Sequence, residues 1–242
     1  MTDGPDGDAA NGHMARRPEP EVMDDAEEAR AYAEADFAEV TRAFVERLTE
    51  LAGQHNVPAD ARALDLGTGP GDIPLLVASA LSPWHITAVD ASQAMIGIAL
   101  EKVFACPDRR TPLGNAHVKF IVADAKATGL PAHSFDVVFS NSILHHITET
   151  DLFWAEVQRL AKPGAVAFLR DLARPPSRQA AQQIVDRYAA DEPPKLREEY
   201  YRSLLSAHTP DEIRRQLDRA ALGALQVAMA SDRHVDVFGR LP

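Results

Sequence analysis

Asp65-Leu66-Gly67-Thr68-Gly69-Pro70-Gly71 is the stretch on which the fold turns. An apolar run from Ala61 leads into it, and helix-forming sequence follows from Asp72. Three glycines at alternate positions let a strand-to-helix turn bring its backbone against a ligand without side-chain obstruction. The dinucleotide-binding fingerprint puts its third glycine three residues after the second, where this chain has Asp72; here the third glycine is Gly71. The tighter spacing suits an adenosyl ligand without a pyrophosphate and argues against a nicotinamide oxidoreductase.

Downstream, short apolar runs alternate with helical segments. Ala61–Leu66, His85–Asp90, Val118–Ala123, Phe135–Ser140 and Ala165–Leu169 read as strands, and strands separated by helices imply right-handed crossovers and a parallel sheet. Asp72 with Pro74, and Ser92, offer helix starts; Lys162-Pro163-Gly164 offers a stop. Thr209-Pro210-Asp211-Glu212 is a capping box, with Gly223 expected to end its helix. Leu225–Met229 and Val235–Phe238 flank Ser231-Asp232-Arg233-His234, a charged turn expected to close an antiparallel hairpin. Asp90 ends the second strand, where its acceptor-only carboxylate can take two ribose hydroxyls; Asp124 ends the third and can accept from an adenine amino group.

Upstream, Ala33, Phe37, Val40, Phe44, Leu48 and Leu51 recur at spacings of three and four and predict one long helix over 24–52. It is expected, with Val22-Met23-Asp24 before it and Tyr32 and Phe37 on it, to cover the ligand. Residues 1–20 carry too little apolar content to repay ordering and read as a disordered tail. The organisation is thus a tail (1–20), a cover helix (21–58) and a ligand-binding domain (59–242). The last contains a lid-like insertion over 174–207, broken by Pro175-Pro176 and Pro193-Pro194.

Composition narrows the functional classes. A formal charge of −11 disfavours nucleic-acid partners, because non-specific affinity for phosphates comes mainly from Lys and Arg. One cysteine, Cys106, leaves no intramolecular disulfide and no multi-cysteine metal site, and is given no role. No run approaches the roughly 18 apolar residues of a membrane span, and no signal region opens the sequence, so a cytoplasmic protein without a membrane partner is expected. No metal cage is read from the sequence, and monomer and homodimer stay equally open.

With these motifs in order, the chain resembles the class I S-adenosylmethionine-dependent methyltransferases, small-molecule type. Residues 60–172 carry the resemblance well, the final helix and hairpin more loosely. Asp65–Gly71 looks like the family's first motif, Val89-Asp90-Ala91-Ser92-Gln93-Ala94-Met95 like its second, and Ala123-Asp124-Ala125 like its adenine motif. Phe135–Asn141 resembles the fourth strand, and Arg159–Ala165 the turn into the fifth.

The resemblance implies an α/β fold: a Rossmann-like, doubly wound, seven-stranded, mostly parallel sheet with an antiparallel last strand. It implies S-adenosyl-L-methionine as cofactor, with Gly67 and Gly69 against its methionine and ribose portions, Met95 over the adenosine, and the Ser140 backbone, beside Asn141, at the methionine amino group. Asp65 would sit behind the methionine portion. The methyl donor is already activated, so the protein needs mainly to align acceptor, methyl and sulfur in a dry pocket.

His145 and His146 follow the fourth strand and are candidate general bases, the less buried ring preferred; packing or substrate contact is the plainer alternative. Arg170 and Asp171 end the fifth strand and are expected to face the cleft, Arg170 as a clamp for an anionic substrate or as half of a rim salt bridge. Tyr32, Tyr188, Tyr200 and Tyr201 are candidate substrate contacts. Ser140-Asn141-Ser142-Ile143 lacks the Asn/Asp-Pro-Pro-Tyr pattern of enzymes methylating planar amines, and one cysteine rules out an arsenic-type thiol relay. The expectation is methyl transfer to O, N, S or C of a small molecule. A protein or RNA methyltransferase and a non-catalytic cofactor-binding regulator are the alternatives.

Overall fold

The computed structural model describes residues 14–20, 22, 25–35, 37–105 and 117–242; Met23, Asp24 and Cys106 lie outside them. The segments read as strands become β1 (Arg62–Leu66), β2 (His85–Asp90), β3 (Val118–Val122), β4 (Phe135–Asn141), β5 (Ala161–Leu172), β6 (Gln226–Met229) and β7 (His234–Arg240). They pair into one sheet in the order β3-β2-β1-β4-β5-β7-β6. The first five strands run parallel, and β7 lies antiparallel to both β5 and β6. Winding reverses between β1 and β4, and the crevice beyond their carboxyl ends is where open α/β sheets hold ligands.

Helices cover both faces: α1 (Ala26–Glu34), α2 (Ala38–Gln54), α3 (Asp72–Ala80), α4 (Gln93–Ala105), α5 (Thr150–Leu160), α6 (Arg178–Tyr188), α7 (Pro194–Ser206) and α8 (Pro210–Arg219). Strand alternation assigns the faces. Ala63, Val137, Phe139, Val166 and Phe168 pack with α2 and α3; Leu64, Leu66, Val138, Ala167 and Leu169 pack with α5 and α8. The α6–α7 insertion has its own small core, with Ala181, Val185 and Leu204 against Leu172.

The single long helix expected over 24–52 is two helices. The chain leaves helical geometry at Ala35 (φ −67°, ψ 146°) and resumes after Phe37. The two halves bury different things. Phe44, Leu48 and Leu51 of α2 are fully buried, each contributing about 1.5–3 kcal/mol, and Phe44 stacks on Phe168 with ring centroids 4.6 Å apart. In α1 only Ala29 is buried; it lies along α4, with Arg30 beside Glu101 at 3.3 Å. One straight helix would lie along one surface, whereas these halves lie on two, so packing overrides a continuous apolar period. Phe37, read as part of the apolar face, sits 41% exposed at the break.

Two helix ends also differ from expectation. Gly71, with φ 83°, caps α3, and Asp72 is its first residue, pairing with Lys102 of α4 at 2.7 Å. At the other end of the chain α8 stops at Arg219; Ala221, with φ 56°, makes the left-handed turn expected of Gly223. The Ser92 cap of α4 and the Thr209–Glu212 box are present.

Candidate functional site

Gly67, Gly69 and Gly71 all have positive φ (74°, 54° and 83°). A side chain at Gly71 would meet Ala99 Cβ at 2.8 Å, so this glycine is needed for α3 and α4 to approach; the space beyond Gly69 is open, so its backbone faces a ligand directly. The loop is held from β2. Gly67 and Thr68 donate their N–H groups to the Val89 carbonyl at 2.8 and 2.9 Å. Gly69 N–H donates to Asp90 Oδ2 at 2.7 Å, and Ser92 N–H to Asp90 Oδ1 at 2.8 Å. Each Asp90 oxygen therefore keeps acceptor capacity for a ligand hydroxyl. Burial pushes this carboxyl up, opposed by the N–H groups of Ser92, Gly69 and Ala91.

Asp65 lies behind the loop, 2% exposed, and its Oδ2 has no partner. Burial pushes its carboxyl up to about 7, with nearby Thr68 opposing the shift and Asp90 adding to it. A cationic or N–H donor would complete this carboxylate. The cleft in front is lined by Gly67, Asp90, Ala91, Asp124, Lys126, Ile143 and Ile147, with Ile143 packed against Gly67. Ala125 and Val22 also border it. An orphaned acid, an open glycine, two strand-end acids and apolar walls fit a ligand carrying an ammonium group, a ribose and an adenine.

The remaining candidates for cofactor binding are built into the walls. Met95 is buried on α4. Ser140 Oγ donates to the Leu66 carbonyl at 2.6 Å, tying β4 to β1. Asn141 Nδ2 donates to Ser142 Oγ at 3.1 Å.

His145 and His146 sit in the loop between Ile143 and Ile147, their ring centroids 4.2 Å apart. They differ in setting. His145 is 3% exposed, and its Nδ1 lies 2.5 Å from Asp171 Oδ1. Asp171 Oδ2 also accepts the Leu144 N–H at 2.5 Å. Against the cost of burial, the pairing holds the Asp171 carboxyl below its usual range and the His145 ring above its own. The more open ring, His146, has its Nδ1 3.2 Å from the Pro20 carbonyl.

Residues 14–20, expected to be disordered, form a strap across these histidines. Arg16 donates from Nε to the Ser206 carbonyl at 2.6 Å and from Nη2 to the carbonyls of His145 and Ile147 at 2.8 and 3.2 Å. Glu19 accepts from Ser203 Oγ at 3.0 Å, and its Oε1 lies 3.5 Å from His145 Nε2 and 3.4 Å from His146 Nδ1. Burial raises the Glu19 carboxyl. Composition could not reveal the strap, because polar hydrogen bonds to distant carbonyls, not apolar burial, hold it. Asp171 was legible: it shares strand parity with Leu169, on the face that carries the histidines.

The same parity corrects Arg170. It points to the opposite face, where it donates to both oxygens of Asp236 at 2.7 and 2.8 Å across β5 and β7. It is the salt bridge of the two alternatives. Tyr188 donates to Asp232 Oδ2 at 2.8 Å under the Arg233 guanidinium, which lies 3.3 Å from its ring centroid; the charged hairpin turn thus anchors α6. Tyr200 and Tyr201 pack on the insertion core, the Tyr200 phenol pushed up to about 12 by burial. Tyr32 is not among the cleft-lining residues; its ring lies 5.0 Å from that of Phe37, and burial, with Asp72 and Asp90 adding, pushes its phenol up to about 12.

Residues 64–169 match the family model described as "Methyltransferase domain". Over 147 residues the chain is 29% identical to phosphoethanolamine N-methyltransferase 1 of Zea mays, covering 61% of this chain and 26% of that protein. It is 28% identical over 144 residues to the 2-methyl-6-phytyl-1,4-hydroquinone methyltransferase of Synechocystis, covering 60% and 42% respectively. The chain thus spans about a quarter of the maize relative and under half of the cyanobacterial one. A solved S-adenosylmethionine-dependent methyltransferase from Aquifex aeolicus shares the fold with a TM-score of 0.65 at 18% identity, over 90% of this chain and 99% of that one.

Proposed function

We propose, from the match of residues 64–169 to the methyltransferase-domain model, that this protein transfers the methyl group of S-adenosyl-L-methionine to an O, N, S or C atom of a small molecule. The observation that carries the proposal is the placement of Asp65, Asp90 and Asp124 at the ends of three adjacent strands around one glycine-lined cleft. The cofactor supplies an activated methyl group on a sulfonium centre. The chain supplies position: Asp90 takes the ribose hydroxyls, Asp124 the adenine edge, and Asp65 lies toward the methionine ammonium. Ile143 and Ile147 exclude water on the acceptor side, so that acceptor, methyl and sulfur align for in-line displacement.

An acceptor bearing a proton would meet His145 and His146, whose loop joins these two isoleucines. The strap and α7 roof that side, which supports an acceptor of small size. The names of the maize and Synechocystis relatives, a phosphoamine and a hydroquinone methyltransferase, support the same class.

Calorimetry with S-adenosylhomocysteine and with NAD tests the donor: the first should bind and the second not. Asp90→Ala should weaken S-adenosylhomocysteine by about 10- to 100-fold, the loss of one or two charge-assisted hydrogen bonds. An unchanged affinity removes Asp90 from the ribose role. Labelled donor incubated with metabolite extracts should yield a methylated small molecule. His145→Ala and His146→Ala should bind cofactor normally but slow turnover; full turnover in both removes them from proton transfer.

A further inference from the structure

Glu19, His145 and His146 bring three donor atoms within 4.8 Å of one another, and we propose that they form a binding site for one divalent transition-metal ion of the zinc class. The two shortest separations carry the argument. Glu19 Oε1 lies 3.5 Å from His145 Nε2 and 3.4 Å from His146 Nδ1. Both are too long for good hydrogen bonds. They match the edge of a tetrahedron of ligands around zinc, about 3.4 Å for metal–ligand bonds near 2.1 Å. The third separation, between the two histidine nitrogens, lies within 4.8 Å.

Chemistry points the same way. Asp171 Oδ1 accepts a hydrogen bond from His145 Nδ1–H at 2.5 Å, which leaves Nε2 as the ring nitrogen that faces Glu19. A carboxylate behind the far nitrogen of an imidazole is the usual support of a metal-bound histidine. At His146 the Pro20 carbonyl, 3.2 Å away, accepts a hydrogen on Nδ1 in the metal-free protein; binding moves that hydrogen to Nε2. Two imidazoles and one carboxylate favour zinc over magnesium or calcium, which prefer all-oxygen sites.

The site joins two parts of the chain, the strap and the loop after β4, so a bound ion would fasten the strap over the acceptor side. It would also occupy lone pairs that otherwise take an acceptor's proton, making the loaded form a closed, resting one.

The test needs neither cofactor nor acceptor, so its failure leaves the methyl-transfer reading untouched. Protein stripped with EDTA is titrated with zinc by calorimetry and, separately, with cobalt, whose tetrahedral ligand-field bands report the geometry. Wild type should take up one ion and show those bands, and hydrogen exchange over residues 14–20 should slow on loading. Glu19→Gln and His146→Ala should each weaken uptake at least tenfold with unchanged circular dichroism. His85→Gln should leave it unaltered, which excludes the His85–His117 pair, whose rings lie 5.1 Å apart. No uptake by wild type, as a shared proton in place of a metal predicts, overturns the proposal, as does equal uptake by the Glu19→Gln protein. That variant alters only the strap and so stays decisive if His146→Ala does not fold.

Discussion

A carboxylate buried without a partner sets up a conflict between stability and binding, and Asp65 is that residue. Its pKa near 7 in the folded chain compares with about 4 in an unfolded one. The folded protein therefore holds an extra proton between those values. Its stability is full below pH about 4 and falls as the pH rises through about 7. Asp65→Asn should abolish that slope and stabilise the ligand-free protein at pH 8 by about 1–3 kcal/mol, read from thermal midpoints across pH. The same variant should lose S-adenosylhomocysteine affinity. Undiminished S-adenosylhomocysteine affinity in the stabilised variant would contradict a ligand-completed charge. The residue itself was plain in the sequence, since an acid at the end of an apolar strand before a glycine loop is an evident outlier. Its missing partner was not, because hydrogen-bond satisfaction depends on what the fold brings near.

At the level of elements, strands were legible and helix limits were not. β1, β2, β4 and β5 are covered on both sides, so their apolar runs survive any detail of packing. The break between α1 and α2 has no proline or glycine to announce it, because it arises from the two surfaces the halves must reach. The base of the α6–α7 insertion is similarly hidden. It is closed by Arg174, 6% exposed, which donates to the Ala207 carbonyl at 2.9 Å and to both oxygens of Glu212. Despite burial, His208 at 3.7 Å and hydrogen bonds from Arg174 and the Thr209 N–H hold the Glu212 carboxyl below its usual range. Arg174→Ala should cost about 2–3 kcal/mol, less than breaking a fully buried pair because Glu212 is partly solvated. Thermal unfolding would show the loss. Proteolysis within 174–207 should speed up while S-adenosylhomocysteine affinity holds; a cofactor site that weakened in step would mean the insertion supports the donor half as well.

Across the whole molecule the glycine-loop cleft, the proposed donor site, was largely readable, and the histidine side, the proposed acceptor site, largely not. Asp65 to Asp124 supply the proposed donor residues within one stretch of chain, and the order of motifs carries their meaning. The acceptor side draws on the strap, the loop after β4, the end of β5 and the end of α7, which no local pattern links. Deleting residues 1–20 removes the three Arg16 hydrogen bonds and the Met14 contact with the insertion core. The truncated protein should unfold about 1–3 kcal/mol more readily while binding S-adenosylhomocysteine within a few-fold of the full chain, as calorimetry would show. A large loss of binding would place the strap in the donor site.

The bond from Arg16 to Ser206 joins residues 190 positions apart, and this separation has a kinetic meaning. A contact that closes nearly the whole chain into a loop gains nothing until the intervening sheet and helices are in place. The strap should therefore be the last piece to dock during folding. In the native protein, held by a few polar contacts with little apolar burial, it should also be among the first to lift. Substrate entry and the final folding step would then be one motion run in opposite directions.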